Sequence, residues 1–237
     1  QVPDPELREK LTPRYGYGCK RPSLSNEYLR AFNRPNVTLE TASIAEVTAS
    51  GVRTAAGREH AVDTLILATG FKVFEKGNMP PFPICGVGGT DLEGWWDAER
   101  YQAFQGVSMP GFPNLFTIAG PYGYNGAAYF QLIEAQSRHI LRCLRHARRR
   151  RATRVEVTRR ANDEYFQAML ARRKNQVFFN GTCGSANSYY FDKHGDVPFL
   201  PALTPEMHWR AARFDLSSYA FTTLAANPAR TSESKVQ

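Results

Sequence analysis

Two short apolar runs, each ending in a glycine, constrain the fold of this chain more than any other feature. The first run, Leu-Ile-Leu-Ala-Thr-Gly at 65–70, lies in a strand predicted from Asp63 to Phe71. The second, Leu-Phe-Thr-Ile-Ala-Gly at 115–120, lies in a strand predicted from Pro113 to Gly120. Consecutive apolar residues are typical of strands that are buried on both faces of a parallel sheet. The second run continues through a glycine-containing turn into a long helix, predicted from about Ala127 to Arg150. This order predicts an α/β fold, in which ligands bind beyond the carboxyl ends of the strands.

The region before and between these runs is predicted to be irregular or to form short antiparallel strands. The first 35 residues are rich in proline, with one helix from Ser25 to Phe32 that Ser25 caps. Turn residues then separate β-rich runs, which predicts a small antiparallel meander. Its strands are expected at residues 36–40, 44–47, 52–54 and 60–62. A long irregular segment, residues 72–112, is expected to pack around Trp95, Trp96 and Phe104.

The C-terminal half is predicted to be mainly helical. Ile133, Ile140 and Leu144 are expected to form the inner stripe of the long helix. The elements expected after it are a strand at 154–157, a helix from Thr158 to Lys174, a helix at 206–213 and a strand at 219–222. The inward residues expected on the second of these are Ala161, Tyr165, Ala168 and Met169. Residues 225–237 are polar and are expected to be disordered.

The positive charge of the chain is concentrated in one segment. The formal net charge is +8, but residues 138–160 hold ten arginines and a single acid, Glu156, a local balance of +9. The rest of the chain therefore sums to −1, and the charge does not mark the whole domain as a nucleic-acid binder. We expect the run Arg148–Arg151 to be the solvated end of a helix, with a basic interaction surface as the alternative.

The cysteine pattern and the ends of the chain bear on its cellular setting. Cys19, Cys85, Cys143 and Cys183 have the spacing of neither a compact disulfide framework nor a zinc site, so we expect a reduced, cytoplasmic protein. The five histidines show no ligand spacing, so no metal is expected. Neither a signal peptide nor an apolar stretch of about 18 residues is present, so no membrane association is expected. The missing initiator Met suggests a piece of something longer.

Gly120, Gly123 and Gly126 follow the second apolar run, where the predicted helix begins. Glycines at this position let the backbone approach a flat or anionic ligand, and a helix N-terminus offers unpaired N–H groups. Such turns are also common where strand and helix pack tightly. On this turn alone the two explanations are equally good.

Four segments, in the same order, resemble flavin-dependent monooxygenases of the Baeyer–Villiger type. The first is Gly-Cys-Lys-Arg-Pro at 18–22, followed by Tyr28 and Asn-Arg-Pro-Asn-Val at 33–37. The others are the Ala-Thr-Gly motif at 68–70 with Asp63 before it, Pro-Asn-Leu-Phe at 113–116 with Gly-Pro at 120–121, and Glu-Ala-Gln at 134–136. The resemblance extends from about Asp4 to Leu224.

The resemblance implies an α/β fold that is the C-terminal part of a flavoprotein with two dinucleotide-binding domains, one for FAD and one for NADPH. Residues 1–67 would end the NADPH-binding domain and include the meander, and residues 68–224 would be the C-terminal half of the FAD-binding domain. The chain has no GxGxxG and no FxGxxxHxxxW sequence. These motifs lie upstream in relatives, so the chain is expected to lack half of the flavin site and to be inactive alone.

The resemblance also assigns site residues. Arg21 would be catalytic, since its guanidinium would sit over the flavin and stabilise the anionic peroxyflavin. Lys20 would help to bind NADPH. The other positions matching cofactor-contacting segments are Ala68, Thr69, Gly70, Gly120, Pro121, Gly123, Asn125, Gly126 and Tyr189. Without the motif, Lys20 and Arg21 would read as a solvated loop pair, and Tyr189 as a core aromatic.

The implied function is an FAD- and NADPH-dependent monooxygenase that uses O₂ to insert oxygen next to a ketone carbonyl. An N- or S-oxygenating relative is the alternative within the class, since heteroatom oxidation uses the protonated hydroperoxide. A non-catalytic fragment or a basic interaction module is the alternative outside it. Neither the substrate nor the oligomeric state can be read from the sequence, and no nucleic acid is expected as a partner.

Overall fold

A computed structural model describes residues 1–74, 77, 81–126, 129–179 and 181–223. The chain divides into two units. The first unit consists of Gln1–Lys72 with Gly181–Tyr189, and the second of Val73–Asn180 with Tyr190–Gln237. The predicted disordered tail at 225–237 lies outside the described residues.

The first unit contains two short helices and one sheet. Its elements are α1 (Pro5–Leu11), α2 (Tyr28–Ala31), β1 (Ile44–Thr48), β2 (Gly51–Thr54) and β3 (Glu59–Ala61). Asp4 caps α1, its carboxylate accepting the Glu6 N–H at 2.9 Å, and Ser25 Oγ accepts the Tyr28 N–H at 3.0 Å. The predicted start at Ser25 is displaced, because α2 is a single turn that begins at Tyr28 with Glu27 as its N-cap residue, although the Ser25 hydroxyl still bonds its first N–H.

The predicted antiparallel meander is confirmed for three strands. β2 pairs with β1 on one side and β3 on the other, with Val47 opposite Val52 and Gly51 opposite Ala61. A Cβ at Gly51 would lie 1.9 Å from the His60 carbonyl oxygen, so only glycine permits this close pairing. The prediction of a fourth strand at residues 36–40 is wrong. At its end the Glu40 carboxylate accepts a local hydrogen bond from the Ala42 N–H at 2.9 Å, and this segment forms no hydrogen-bonded pair with a strand.

The strand predicted at residues 63–71 has no assigned secondary structure and belongs to no sheet among the described residues. The side chains of Leu65, Ile66 and Leu67 are 43%, 84% and 76% exposed. A strand buried on both faces needs neighbours on each side and layers above and below, and the described part of the chain supplies none here. The prediction of a buried parallel strand is therefore wrong for this chain as it stands.

The second unit holds the longer elements. They are α3 (Leu92–Glu99), α4 (Tyr129–Arg150), β4 (Arg154–Val157), α5 (Arg159–Arg172), α6 (Thr204–Arg213) and β5 (Tyr219–Thr222). β4 and β5 form an antiparallel pair. The predicted elements of this half are thus confirmed, except that Ala127 and Ala128 at the start of the long helix lie outside the described residues. α3 interrupts the segment that was predicted to be irregular.

The strand predicted at residues 113–120 is wrong, because this segment contains turns and bends. Asn114 and Ala119 have φ angles of 60° and 62°, in the left-handed region that interrupts extended geometry. The Asn114 side chain pairs with β4 instead, its Oδ1 accepting the Val155 N–H at 2.9 Å. All strand pairs in the described ranges are antiparallel, so the mixed α and β content is confirmed whereas the parallel pairing is not formed.

Both apolar clusters lie in the second unit. The larger one surrounds Phe104 and is formed by α4, β4, α5, α6 and β5. The smaller one surrounds α3 and includes Trp95 and Trp96, which confirms their predicted packing role. The face of α4 is displaced by one residue from the predicted stripe: Leu132, His139 and Cys143 are buried, whereas Leu144 is 47% exposed. On α5, Ala168 is exposed and Phe166 is buried in its place.

Cys19 and Cys183 form a disulfide within the first unit, with their Cα atoms 5.1 Å apart. The expectation of a fully reduced chain is therefore wrong for this pair, while Cys85 and Cys143 are free. Sequence spacing could not indicate the bond, because 164 residues separate the two cysteines. No helix in the described ranges combines the length and apolar character needed to cross a bilayer.

Candidate functional site

The predicted site residues fall into two groups, one in each unit. Lys20, Arg21, the Ala-Thr-Gly motif at 68–70 and Tyr189 belong to the first unit. The turn from Gly120 to Gly126 belongs to the second unit. The two groups are therefore described separately.

Three separate segments meet in the first unit. The disulfide joins Cys19, beside Lys20, to Cys183 in a loop that ends at Tyr189. The Gly16 N–H donates to Thr182 Oγ1 of the same loop at 2.7 Å. The Tyr189 ring lies edge-on to Phe71, the residue after the Ala-Thr-Gly motif, with centroids 6.1 Å apart. The structure thus brings together the three segments to which the resemblance gives nicotinamide and flavin contacts.

Both basic residues of the first group are exposed. The Lys20 ammonium lies 5.2 Å from the centroid of the Tyr15 ring, at cation–π distance. The buried Cys19 fixes the backbone immediately before them, while the guanidinium of Arg21 faces solvent. Ala68, Thr69 and Gly70 are also exposed, and Gly70 has a φ of 91° with no atom within 4 Å of a Cβ position. This surface is open and positively charged.

The second group is a turn whose first half is closely packed. A Cβ at Gly120 would lie 2.5 Å from the Gly106 carbonyl oxygen, and one at Gly123 would lie 2.6 Å from the Gly106 Cα. Gly120, Pro121 and Gly123 are all buried. Packing alone therefore requires glycine at 120 and 123, and it is the better explanation for these two positions.

The exposed end of the turn is different. Gly126 has a φ of 81° and an open Cβ position, so a flat ligand can approach its backbone. Asn125 is half-buried, and its side-chain amide donates to the Ala202 carbonyl at 3.1 Å and to Thr204 Oγ1 at 3.2 Å. The Asn125 amide is thus held against the start of α6 and serves to fix the turn.

Three groups that sequence reasoning missed hold this turn in place. Gln136 of α4 is 2% exposed, and its Oε1 accepts the Ala119 N–H at 2.7 Å. The Tyr165 hydroxyl of α5 donates to the Tyr122 carbonyl at 2.7 Å, and burial raises the pKa of Tyr165, so it stays protonated. The Tyr122 N–H donates to the Pro198 carbonyl at 2.7 Å. Only Gln136 carried a sequence signal, since it ends the Glu-Ala-Gln segment.

An open cavity of about 390 Å³ lies beside Asn125. Its lining includes Arg172, Gln176, Phe178, Phe199 and Leu203. Arg172 makes a bidentate ion pair with Glu206, and Arg210 donates to the same carboxylate. The Arg172 guanidinium, followed by Arg210, lowers the pKa of Glu206 to about 2. The lining of the cavity therefore combines the charged Arg172 with polar, aromatic and aliphatic side chains.

The histidines of the described ranges are not grouped for an ion, and His139 is a core residue. The described ranges hold no group of three or more His, Cys, Asp or Glu side chains arranged for an ion. His139 is fully buried, stacks on Phe214 and shares a 2.7 Å hydrogen bond between its Nε2 and the Tyr219 hydroxyl. Burial, followed by the nearby Arg142, lowers the pKa of His139 to about 3, so this ring is neutral.

Comparison with known proteins gives matches over nearly the whole chain. No family model matches. A Baeyer-Villiger monooxygenase of Pseudomonas aeruginosa is 34% identical over 230 residues, which are 94% of this chain and 42% of the relative. The crystal structure of OTEMO in complex with FAD and NADP aligns with a TM-score of 0.80 at 26% identity, over 93% of this chain and 42% of that one. The closed crystal structure of cyclohexanone monooxygenase aligns with a TM-score of 0.77 at 27% identity, over 94% and 42%. The chain spans less than half the length of these proteins.

Proposed function

We propose that this chain supplies part of the site of an FAD- and NADPH-dependent monooxygenase. The chain is Baeyer–Villiger monooxygenase-like and corresponds to the C-terminal part of these two-domain flavoproteins. The proposed reaction inserts one oxygen atom of O₂ next to a ketone carbonyl. The observation that carries the proposal is the 34% identity to a Baeyer-Villiger monooxygenase along 94% of the chain.

The first unit would provide the nicotinamide side of the site. Lys20 carries the charge to pair with a phosphate of NADPH, and its exposed ammonium is free to reach one. Tyr189 and Phe71 would frame the same surface, because their rings already contact each other. Arg21, two residues after the anchored Cys19, would place a permanent positive charge where negative charge develops during oxygen transfer.

The second unit would provide one edge of the flavin site. Gly126 and the start of α4 fit a flat, electron-rich ring, since the glycine leaves space and a helix N-terminus favours negative charge. Bound FAD would supply the redox chemistry, accepting electrons from NADPH and activating O₂, that side chains cannot. Gln136 and Tyr165 would keep the turn in one conformation before the ligand arrives.

The chain alone is proposed to bind FAD weakly. It lacks the GxGxxG sequence that holds a pyrophosphate, and Ile66 and Leu67 of its first apolar run are exposed. We assign residues 1–67 to the end of an NADPH-binding domain and 68–224 to the C-terminal half of an FAD-binding domain. A cytoplasmic location is part of the same proposal.

The test is to express a longer reading frame that contains this chain and two upstream glycine fingerprints. We expect a yellow protein with one FAD that oxidises NADPH in the presence of a ketone and forms the ester. Sulfides and amines, assayed in parallel, distinguish the N- or S-oxygenating alternative. An absence of bound flavin would contradict the proposal, and sulfoxide formation without ester would contradict the ketone chemistry.

A pair of variants tests the proposed contact between Lys20 and NADPH. Lys20→Ala in the longer protein should raise the KM for NADPH and leave kcat nearly unchanged, because a lost phosphate contact is a binding defect. Lys10→Ala, an exposed lysine of α1, is the matched control and should behave as the parent. Equal KM values for NADPH in Lys20→Ala and Lys10→Ala would contradict the assignment of Lys20 to the NADPH site.

A further inference from the structure

The Cys19–Cys183 disulfide is placed where it can control the nicotinamide side of the site. Both cysteines are buried, with exposures of 0% and 1%. Cys19 directly precedes Lys20 and Arg21, and Cys183 lies in a 3₁₀ turn, Thr182–Ser185. The bond therefore ties the basic segment to the loop that carries Tyr189.

This loop is an excursion of the chain. Gly181–Tyr189 belongs to the first unit, whereas the residues on both sides of it belong to the second. It begins at Gly181, whose φ of 85° turns the backbone through the left-handed region. Noncovalent contacts to the first unit include the Gly16–Thr182 hydrogen bond and the Phe71–Tyr189 ring contact. The disulfide is the covalent attachment.

We propose that Cys19–Cys183 is a reversible thiol–disulfide site that locks the loop Gly181–Tyr189 onto the segment Gly16–Arg21 when oxidised and releases the loop when reduced. Both cysteines are buried while the loop is docked, and a bond that forms only in the docked state favours docking in turn. The consequence for NADPH rests on the proposed function, and the lock itself does not.

The chemistry balances as thiol–disulfide exchange. A low-molecular-weight dithiol donates two electrons and two protons, the Cys19–Cys183 bond breaks, and the dithiol leaves as its own disulfide. In the reverse direction one cysteine thiolate attacks a low-molecular-weight disulfide, releases one small thiol and forms a mixed disulfide. The second cysteine thiolate then attacks the protein sulfur of this mixed disulfide and releases the other small thiol. Two small-molecule thiols leave, and the protein bond is restored.

The first experiment maps the bond in the 237-residue chain. The chain is equilibrated in glutathione and glutathione disulfide, quenched with an alkylating reagent in denaturant, digested without reductant and analysed by mass spectrometry. We expect Cys19 and Cys183 peptides to be linked, and Cys85 and Cys143 to be alkylated. Alkylation or glutathionylation of Cys19 and Cys183 without an intramolecular link would overturn the proposal.

The second experiment measures the lock by hydrogen exchange in oxidised and reduced chain. We expect amides in the loop 181–189 to exchange about tenfold faster or more after reduction, because local opening then costs less free energy. Amides of β4 and β5 should be unchanged. The double variant Cys19→Ser/Cys183→Ser should match the reduced chain under both conditions, and Cys85→Ser should respond as the parent does. Equal loop exchange in the two redox states would contradict the lock.

The third experiment connects the lock to cofactor binding in the longer, flavin-loaded protein. Reduction, or Cys19→Ser/Cys183→Ser, should raise the KM for NADPH while kcat changes little. If the longer protein binds no flavin, the proposed function fails, and the mapping and exchange results still decide the lock. If the mapping fails, the lock is wrong and the monooxygenase assay is unaffected.

Discussion

The two units of this chain are built on opposite principles. In the second unit, five elements enclose a cluster around Phe104, and buried groups such as Gln136 and Tyr165 satisfy the polar backbone of its turns. In the first unit the apolar residues Ile66 and Leu67 are exposed. A disulfide joins the two stretches of chain that form this unit, Gln1–Lys72 and Gly181–Tyr189. The comparison shows that apolar residues form a core only where other helices and strands pack over them.

A matched pair of leucines tests this difference, and it carries the largest expected effect. Leu132 of α4 is 0% exposed and Leu67 is 76% exposed. Leu132→Ala should lower the free energy of unfolding by about 2–5 kcal/mol, because it removes buried contacts and leaves a cavity. Leu67→Ala should change it by less than about 0.5 kcal/mol in this chain. Denaturant titration measures both.

The same pair sharpens the comparison in a longer protein. If additional strands cover residues 65–70 there, Leu67→Ala should become as costly as other core truncations, about 2–5 kcal/mol. A cost that stays near zero in the longer protein would mean that the apolar run is a surface feature, and the fold assignment for the first unit would be wrong.

Arg21 carries the next largest expected effect, on activity. Arg21→Ala in the longer protein should lower ester formation by about 10²–10³, the usual loss when one charged stabiliser of a developing anion is removed. NADPH consumption should persist and yield hydrogen peroxide, because Lys20 and flavin reduction are untouched. Arg21→Lys should recover little, since an ammonium lacks the planar guanidinium fork.

The measurement for Arg21 is a paired assay of NADPH consumed and ester formed. Arg14→Ala is the control, since Arg14 is an exposed arginine of the same unit that precedes the segment Gly16–Arg21. Near-parental coupling in Arg21→Ala would remove the main support for ketone chemistry. Equal losses in both variants would indicate a general charge effect on this surface.

Glu206 offers a smaller, pH-dependent effect in the well-packed unit. Its pKa is lowered from 4.5 to about 2, first by the Arg172 hydrogen bond. A lowered folded-state pKa means that the stabilisation is complete above pH 4.5 and is lost as the pH falls towards 2. Glu206→Gln should therefore cost about 1 kcal/mol at pH 7, a discounted value for a group that is 30% exposed, and nothing near pH 2.

Glu164→Gln is the control for that titration, because Glu164 pairs with Arg160 and both side chains are mostly exposed. Its cost should stay below about 0.5 kcal/mol at every pH. A Glu206→Gln cost that is the same at pH 7 and pH 2 would show that packing, and not the charge of Glu206, links α5 to α6.

Local sequence signals predicted the elements that depend on local interactions. The meander, β4, α5 with its Thr158 cap, and β5 were found because turn residues and periodicity determine them. The apolar runs at 65–70 and 115–120 predict buried strands, because their pattern is typical of a parallel sheet. The described residues do not form such a sheet. The face of α4 was displaced by one residue because His139 and Gln136, both polar, occupy its buried side.

The site was predictable only in part, for a related reason. The motifs identified Lys20, Arg21 and the Ala-Thr-Gly segment, but the groups that hold the turn at 120–126 act through single hydrogen bonds across long sequence separations. Tyr165 lies 43 residues from the Tyr122 carbonyl it binds, and Cys183 lies 164 residues from Cys19. Periodicity and spacing carry no information on such pairs, and only the folded chain brings them together.

The arginine run at the end of α4 carries the smallest expected effect. α4 begins at Tyr129, beside the turn assigned to the flavin, and Arg148, Arg149 and Arg150 form its last turn. At about 1.5 Å per residue, the roughly 20 intervening residues place the run on the order of 30 Å from that end. Replacing Arg148–Arg151 by Gln should leave ester formation and coupling in the longer protein nearly unchanged, because solvent and salt screen charges at this distance. Steady-state rates at low and moderate salt measure the effect. A loss comparable to that of Arg21→Ala would mean that the direction of α4 relative to the flavin turn is assigned wrongly.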